Sequence, residues 1–312
     1  MTVALIAGTG GVPPIVARAL DAQGRPPIVC EMSGFASGVT GEYMRVPFRI
    51  ETLGTFLNRL QALDVTEVCM VGAMQRPNID PTAVDAATAP LIETLVAAMA
   101  QGDDGTLRAI VALFEERGMT VVGAHQIAPQ LLPAAGVLTQ TLPPDLTVDV
   151  SVATRALAEM GQADLGQAMI VNKGHVIARE DARGTDALLQ DFCADRPAPH
   201  EAPHQAPHQT SDPFSTVMDT ASDLLGGAAD WLSGRDGHAP QTEAVGGFLF
   251  KGPKPDQDLR VDMPTIGPST AARAREAGLA GIVIQEGGVM IVDAPAVIAT
   301  LNAAGLYLWV SP

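Results

Sequence analysis

The chain has 312 residues, long for one small core and suited to two domains, and 47% of them are hydrophobic, enough to fill both. Lys and Arg total 19 against 35 Asp and Glu, a formal charge of −16, with no basic, aromatic-studded stripe to offset it, which argues against a nucleic-acid binder. Apolar runs of about six to eight residues fall short of the roughly 20 needed to cross a bilayer, and no basic region precedes the apolar N-terminal stretch, so a cytoplasmic protein without a signal peptide is expected.

VALIAG reads as a strand that ends in the turn GTGG, and Pro14 to Gln23 reads as a helix. PIVCEM follows as a strand, Glu51 to Leu63 as a helix through Leu53, Phe56, Leu57 and Leu60, and EVCMVGA as a strand. Helical patterns over Pro81 to Ala100 and Gly105 to Arg117 precede the strand MTVVGA. Strands alternating with crossover helices predict an α/β, Rossmann-like domain with a parallel sheet over residues 1–128. Cys30, Cys69 and Cys193 are odd in number and unpatterned in spacing, which predicts buried reduced thiols rather than disulfides.

The Pro-containing stretch 129–146 reads as an interdomain linker, and 147–312 as a second, mixed α/β (α+β) domain. Its predicted elements are a helix from Val148 to Met160, a hairpin AMIVN/HVIARE turning at Lys173 and Gly174, and a helix from Thr185. After an interruption come the strand in GFLFKG, a helix from Ser269 to Ala277, and a hairpin GIVIQEGGVMIVD turning at Gly287 and Gly288. A helix from Ala294 to Ala304 and a last strand, LYLWV, close the chain. The interruption, 195–243, repeats Ala-Pro-His three times and brings His200, His204 and His208 into register. A proline before each histidine forbids the helix that would align them on a metal, so a disordered insertion is expected. Within it, Met218 to Leu232 has near-helical apolar spacing.

Five stretches carry potential chemistry. In LIAGTGGVPP, Gly8 and Gly10 match the first two glycines of a dinucleotide fingerprint and Glu31 could serve as its ribose-binding acid, but Pro13 stands where the third glycine belongs. What survives, with Gly11, is a glycine-rich turn facing anions at a helix N-terminus. VGAMQRPN places Arg76 at a strand's carboxyl edge, as a phosphate or carboxylate donor or as a solvated turn residue. In QGDDGTLRAI, Asp103 or Asp104 would cap a helix, and the pair could also offer oxygens to Mg²⁺. VVGAHQI sets His125 at the next strand end, and GTDALL begins a helix with Thr185 or Asp186 as its cap. The densest stretch, KGPKPDQDLRVDMPTIGPST, mounts Lys251, Lys254 and Arg260 among Asp256, Asp258 and Asp262 on a proline-stiffened loop. That mixture suits hydrolysis of a phosphoanhydride, with a carboxylate to hold a metal or orient water and cations to offset developing charge.

Taken in order, these stretches with GQAMIVNKGHVIARED resemble the Mg²⁺-dependent UDP-2,3-diacylglucosamine pyrophosphatases of lipid A biosynthesis, the type unrelated to the calcineurin-like enzymes. The resemblance spans residues 1 to about 193 and about 247 to 312. It implies a hydrolase with its substrate in an interdomain cleft, releasing UMP and 2,3-diacylglucosamine 1-phosphate, with water attacking the sugar-side phosphorus. By that resemblance Asp262 is the essential aspartate, and Asp262 and Asp186 are assigned to Mg²⁺. Lys254 and Arg260 are assigned to charge neutralisation, and Gly8, Gly10, Gly11, Arg76, Asp103, His125, Thr185 and Thr265 to substrate binding. The implied partner is an amphipathic sugar-nucleotide lipid, met in the cytoplasm with transient contact at the inner membrane surface. Two further readings stand beside it: a non-catalytic nucleotide- or lipid-binding regulator, and an NAD(P)-dependent oxidoreductase.

Overall fold

The computed structural model describes residues 1–74, 79–100, 102–163, 165–194 and 246–312. The insertion around His200 to His208 and the segment Met218 to Leu232 lie outside them, as does Arg76.

The N-terminal sheet is built from β1 (Thr2–Ala7), β2 (Ile28–Met32), β3 (Arg45–Phe48), β4 (Val65–Val71) and β5 (Thr120–Val121). Its order is β3-β2-β1-β4-β5 and every pairing is parallel. Side chains of β1 alternate between two cores, as the two-residue strand period requires. Ala4 and Ile6 join Leu57, Leu60 and Phe114 on one face. Val3, Leu5 and Ala7 join Val16, Leu20 and Ile127 on the other. The first face is covered by α2 (Leu53–Ala62), α3 (Ile92–Met99) and α4 (Asp103–Glu115), the second by α1 (Val12–Ala22) and α5 (Ala124–Ile127). This is the expected Rossmann-like arrangement. One expected helix differs: Pro81 to Ala100 forms two short 3-10 turns, Pro81–Ala83 and Ala89–Leu91, before α3. Pro81 and Pro90 sit within those turns, where a ring and a missing N–H break continuous helix.

The second domain is again three-layered. Its six-stranded mixed sheet uses β6 (Gly136–Val137), β7 (Ala168–Asn172), β8 (His175–Arg179), β9 (Phe248–Lys251), β11 (Gly281–Gln285) and β13 (Tyr307–Ser311), in the order β6-β13-β11-β9-β7-β8. On one face α6 (Thr147–Gln162) packs Leu157 and Met160 on Met169, Phe248 and Phe250. On the other, α7 (Thr185–Ala194), α8 (Pro268–Glu276) and α9 (Ala294–Ala303) cover Ile170, Leu249, Ile282 and Ile284. β7 and β8 form the predicted hairpin, with Lys173 and Gly174 at φ 49° and 78°, the double positive-φ turn that matches strand twist. The second predicted hairpin is not one. β11 has β9 and β13 on its two edges, so the chain beyond Gly288 cannot pair with it; β12 (Met290–Ile291) pairs instead with β10 (Thr265–Ile266). Gly136–Val137, within the stretch read as linker, hydrogen-bonds antiparallel to β13.

Candidate active site at the domain boundary

Turns follow the carboxyl ends of β1, β4 and β5 in the N-terminal domain, and the turn after β5 meets the proline-rich loop that follows β9. In the first, Gly8 donates its N–H to the Val71 carbonyl at 2.8 Å, and Thr9 and Ala73 exchange backbone bonds at 2.9 Å. Any Cβ on Gly8 would stand 2.6 Å from the Ala73 carbonyl oxygen, so only glycine allows the two turns to zip together. Pro13 explains itself here. Its ring packs against Gly72, whose hypothetical Cβ would lie 2.8 Å from the Pro13 Cγ, so the place of a third fingerprint glycine is filled by proline and the facing position is the glycine. The N–H groups of Gly8 and Thr9 are therefore committed internally. Glu31, the would-be ribose acid, is held by the Ser37 backbone N–H at 3.0 Å, its hydroxyl at 2.5 Å and the Arg45 guanidinium at 2.9 Å. The turn contributes a wall, not a nicotinamide site.

That wall touches the second domain directly. A Cβ on Gly11 would meet Val292 Cγ1 at 2.6 Å, and one on Gly123, beside His125, would lie 3.2 Å from Arg260 Cα. His125 is half-buried, its Nδ1 has no hydrogen-bond partner among the described residues, and burial lowers its pKa. Gly102, with no side-chain cap, precedes α4, so Asp103 and Asp104 stand in the first helical turn rather than at the cap position where they were expected. Asp104 points across the boundary to Lys254, Oδ2 to Nζ 3.7 Å.

Asp262 sits in this boundary and is gripped from two sides. Gln257 donates its side-chain Nε2 to Oδ2 at 2.5 Å, and Gln167 donates to the same oxygen at 3.4 Å. Asp104, Asp256, Asp258 and Asp262, with Arg108, line a small cleft between α4 and the loop. Arg260 is fully engaged: Nε and Nη2 fork onto Asp258 at 2.9 and 2.6 Å, and Nη1 reaches Glu115 at 2.8 Å. The fork holds the Asp258 carboxyl below its ordinary range and raises the guanidinium. Behind the loop, a cavity of about 290 Å³ is walled by Leu157, Ala158, Pro253, Leu259 and the Gln257 side chain.

A second cluster lies beneath it. Lys251, buried at the carboxyl end of β9, donates to the Thr185 hydroxyl at 2.8 Å, and that hydroxyl donates to Glu180 at 2.8 Å. Burial pushes the Lys251 ammonium down, opposed by the Glu180, Asp186 and Asp262 carboxylates. The other Glu180 oxygen accepts the Gln167 backbone N–H at 2.6 Å, and Gly166 leaves room for it, since a Cβ there would lie 2.4 Å from Glu180 Cγ. Thr185 therefore belongs to a buried network rather than capping α7. Asp186 pairs with Arg273 at 3.3 Å and is half exposed, and Thr265 donates to the Met263 carbonyl at 3.2 Å. Among the described residues no three His, Cys, Asp or Glu side chains gather as a metal cage. Sequence reading named Asp262, Lys254 and Thr185, which lie at the boundary or beneath it, and did not name Gln257, Gln167 or Glu180. The last two are adjacent only through folding, and a lone glutamine carries no signature.

Comparison with known proteins decides the family. Residues 2–131 match the model described as the LpxI N-terminal domain, and residues 134–205 and 230–309 match the LpxI C-terminal domain. The chain belongs to the LpxI family. Over 305 residues it is 32% identical to the UDP-2,3-diacylglucosamine pyrophosphatase LpxI of Caulobacter vibrioides, covering 97% of this chain and 95% of that protein. The matched segments include every element at the boundary, from the Gly8 turn to the Asp262 loop. No helix among the described residues is long and apolar enough to cross a membrane.

Proposed function

We propose that this chain hydrolyses the diphosphate bond of UDP-2,3-diacylglucosamine, releasing UMP and 2,3-diacylglucosamine 1-phosphate. The observation that carries the reading is similarity to an enzyme of that name along nearly the whole chain, covering both walls of the boundary that holds Asp262. In this reading the diphosphate lies between the strand-end turns and the loop, with Asp262 beside the reacting phosphorus. Water's oxygen bonds to the sugar-side phosphorus, the bridging P–O bond breaks, and its electron pair leaves on UMP. Lys254 and Arg260 sit at the same boundary, where their charges temper the carboxylates around them. The cavity beside α6, whose walls combine Leu157, Ala158, Pro253 and Leu259 with Thr154, Lys254, Gln257 and Gln285, is a space for part of the substrate, and an amphipathic substrate favours encounter at the inner membrane surface.

Mg²⁺ is part of the proposal. The donor set fits an ion shared with substrate rather than one caged by protein, because magnesium takes one or two carboxylates together with phosphates and retained waters. Asp262 would be its protein ligand. Asp186, already paired with Arg273, is a weaker second ligand. When bound, the ion supplies charge neutralisation at the phosphoryl oxygens. The test is UMP release by the full chain with Mg²⁺, compared with Asp262→Asn. We expect turnover to fall by about 10³-fold with the thermal midpoint nearly unchanged. A variant that keeps wild-type turnover removes Asp262 from the chemistry, and tight substrate binding by wild type without UMP release favours a non-catalytic regulator.

A further inference from the structure

We infer that Gln257 is a positioning residue for the proposed reaction, acting through Asp262; the inference rests on the hydrolase reading above. The amide of Gln257 has its orientation set from both ends. Its Oε1 accepts the Lys254 backbone N–H at 2.9 Å, which leaves Nε2 as the donor that meets Asp262 Oδ2 at 2.5 Å. An amide flipped about its terminal bond would set an oxygen against a carboxylate and a nitrogen against an N–H, so only one orientation is compatible with both neighbours. The residue is buried, so removing its donor takes a close hydrogen bond from the carboxylate. Gln167 grips the same oxygen more loosely at 3.4 Å, and its own backbone is tied to Glu180.

The two amides come from opposite sides, one on the proline-rich loop and one at the foot of β7. The loop is stiffened by Pro253 and Pro255, so the Lys254 N–H is a fixed anchor and Gln257 transmits that rigidity to Asp262. In this account Gln257 does not touch the reacting phosphorus. It keeps the carboxylate in one orientation, where a displacement of about 1 Å would cost about 10²-fold in rate.

The inference is tested with Gln257→Leu, which preserves bulk and removes the donor, in the wild-type and Asp262→Glu backgrounds. In the wild-type background kcat should fall about 100-fold, with KM and thermal midpoint little changed. In Asp262→Glu, whose carboxylate is already displaced, the same substitution should cost less than threefold. Gln257→Asn, one methylene shorter, should recover part of the loss. An equal factor in both backgrounds shows a merely structural role and overturns the inference, as does a wild-type-background loss of less than threefold. If Gln257→Leu does not fold, Gln257→Asn in both backgrounds gives the same comparison. Absence of UMP release by wild type overturns the hydrolase reading and the inference together, whereas an active wild type with an indifferent Gln257 overturns the inference alone.

Discussion

Gly8→Ala is the sharpest test of how the N-terminal turn is built. The added carbon would lie 2.6 Å from the Ala73 carbonyl oxygen and 2.9 Å from the Gly72 carbonyl carbon and oxygen, all backbone atoms that cannot swing aside. Separating the turns strains the paired Thr9 and Ala73 bonds and the Gly8 to Val71 bond. Overpacking at such a site costs about 1–3 kcal/mol, and the weakened hydrogen bonds together add about 1–2 kcal/mol, giving about 2–5 kcal/mol in all. At about 3 °C per kcal/mol, the thermal midpoint should fall by about 6–15 °C in calorimetry. Gly10→Ala supplies the contrast. Gly10 has φ 110° but no atom within 4 Å of a would-be Cβ, so only backbone strain of about 1–2 kcal/mol applies. Gly11→Ala meets Val292 Cγ1 across the boundary, and Val292→Ala should relieve it, so that pair should couple while Gly8 and Val292 do not. If Gly8→Ala loses no more stability than Gly10→Ala, the zipped-turn argument is wrong.

Two further predictions concern protonation. Glu51 accepts Arg49 through both oxygens and the Asp80 backbone N–H, and these bonds, the Arg49 pair foremost, lower its pKa from 4.5 to about 2. A depressed folded-state pKa contributes stability above the unfolded value that is lost as pH falls towards 2. Glu51→Gln should therefore be less stable than wild type at pH 7, with the gap in urea midpoint narrowing below about pH 4; a gap that stays constant refutes the linkage. Burial pushes the Cys30 and Cys69 thiols up to about 12, whereas Cys193 is exposed. A thiol reagent at pH 8 should label one cysteine per native chain and three after denaturation, as mass spectrometry of the labelled peptides would show.

The parallel N-terminal sheet was legible because its strands are apolar runs separated by helical spacing. β3 escaped notice for a physical reason: RVPF is four residues with Pro47 inside, a pattern tolerated only at an edge, and β3 pairs with β2 alone. The misread hairpin shows the opposite failure. Two glycines between apolar runs signal a turn, but pairing depends on which edges are vacant, and β11 has none to offer among its neighbours. At the site, charges among prolines made the loop conspicuous in sequence, but Asp262 was singled out from Asp256 and Asp258 by the family resemblance. The Gln167 to Asp262 contact spans 95 positions and exists only once β7 and the loop are brought together.

Charge balance at the boundary bears on how an acidic chain could accept an anionic diphosphate. Four aspartates line the small cleft, and the cations that sequence reading assigned to neutralisation already face carboxylates: Arg260 meets Asp258 and Glu115, and Lys254 meets Asp104. A phosphate entering here adds negative charge to a place that already carries it, and low-dielectric walls make that repulsion larger than in water. The Gly8 and Thr9 N–H groups offer no relief, because they are committed to the neighbouring turn. A cation arriving with the diphosphate, as proposed above, would offset that charge together with Arg108, which also lines the cleft. The proposed Mg²⁺ would supply such a charge, with Asp262 as its protein ligand. The two amides orient Asp262 as neutral donors, and the buried Lys251 ammonium beneath it adds a charge interaction of its own.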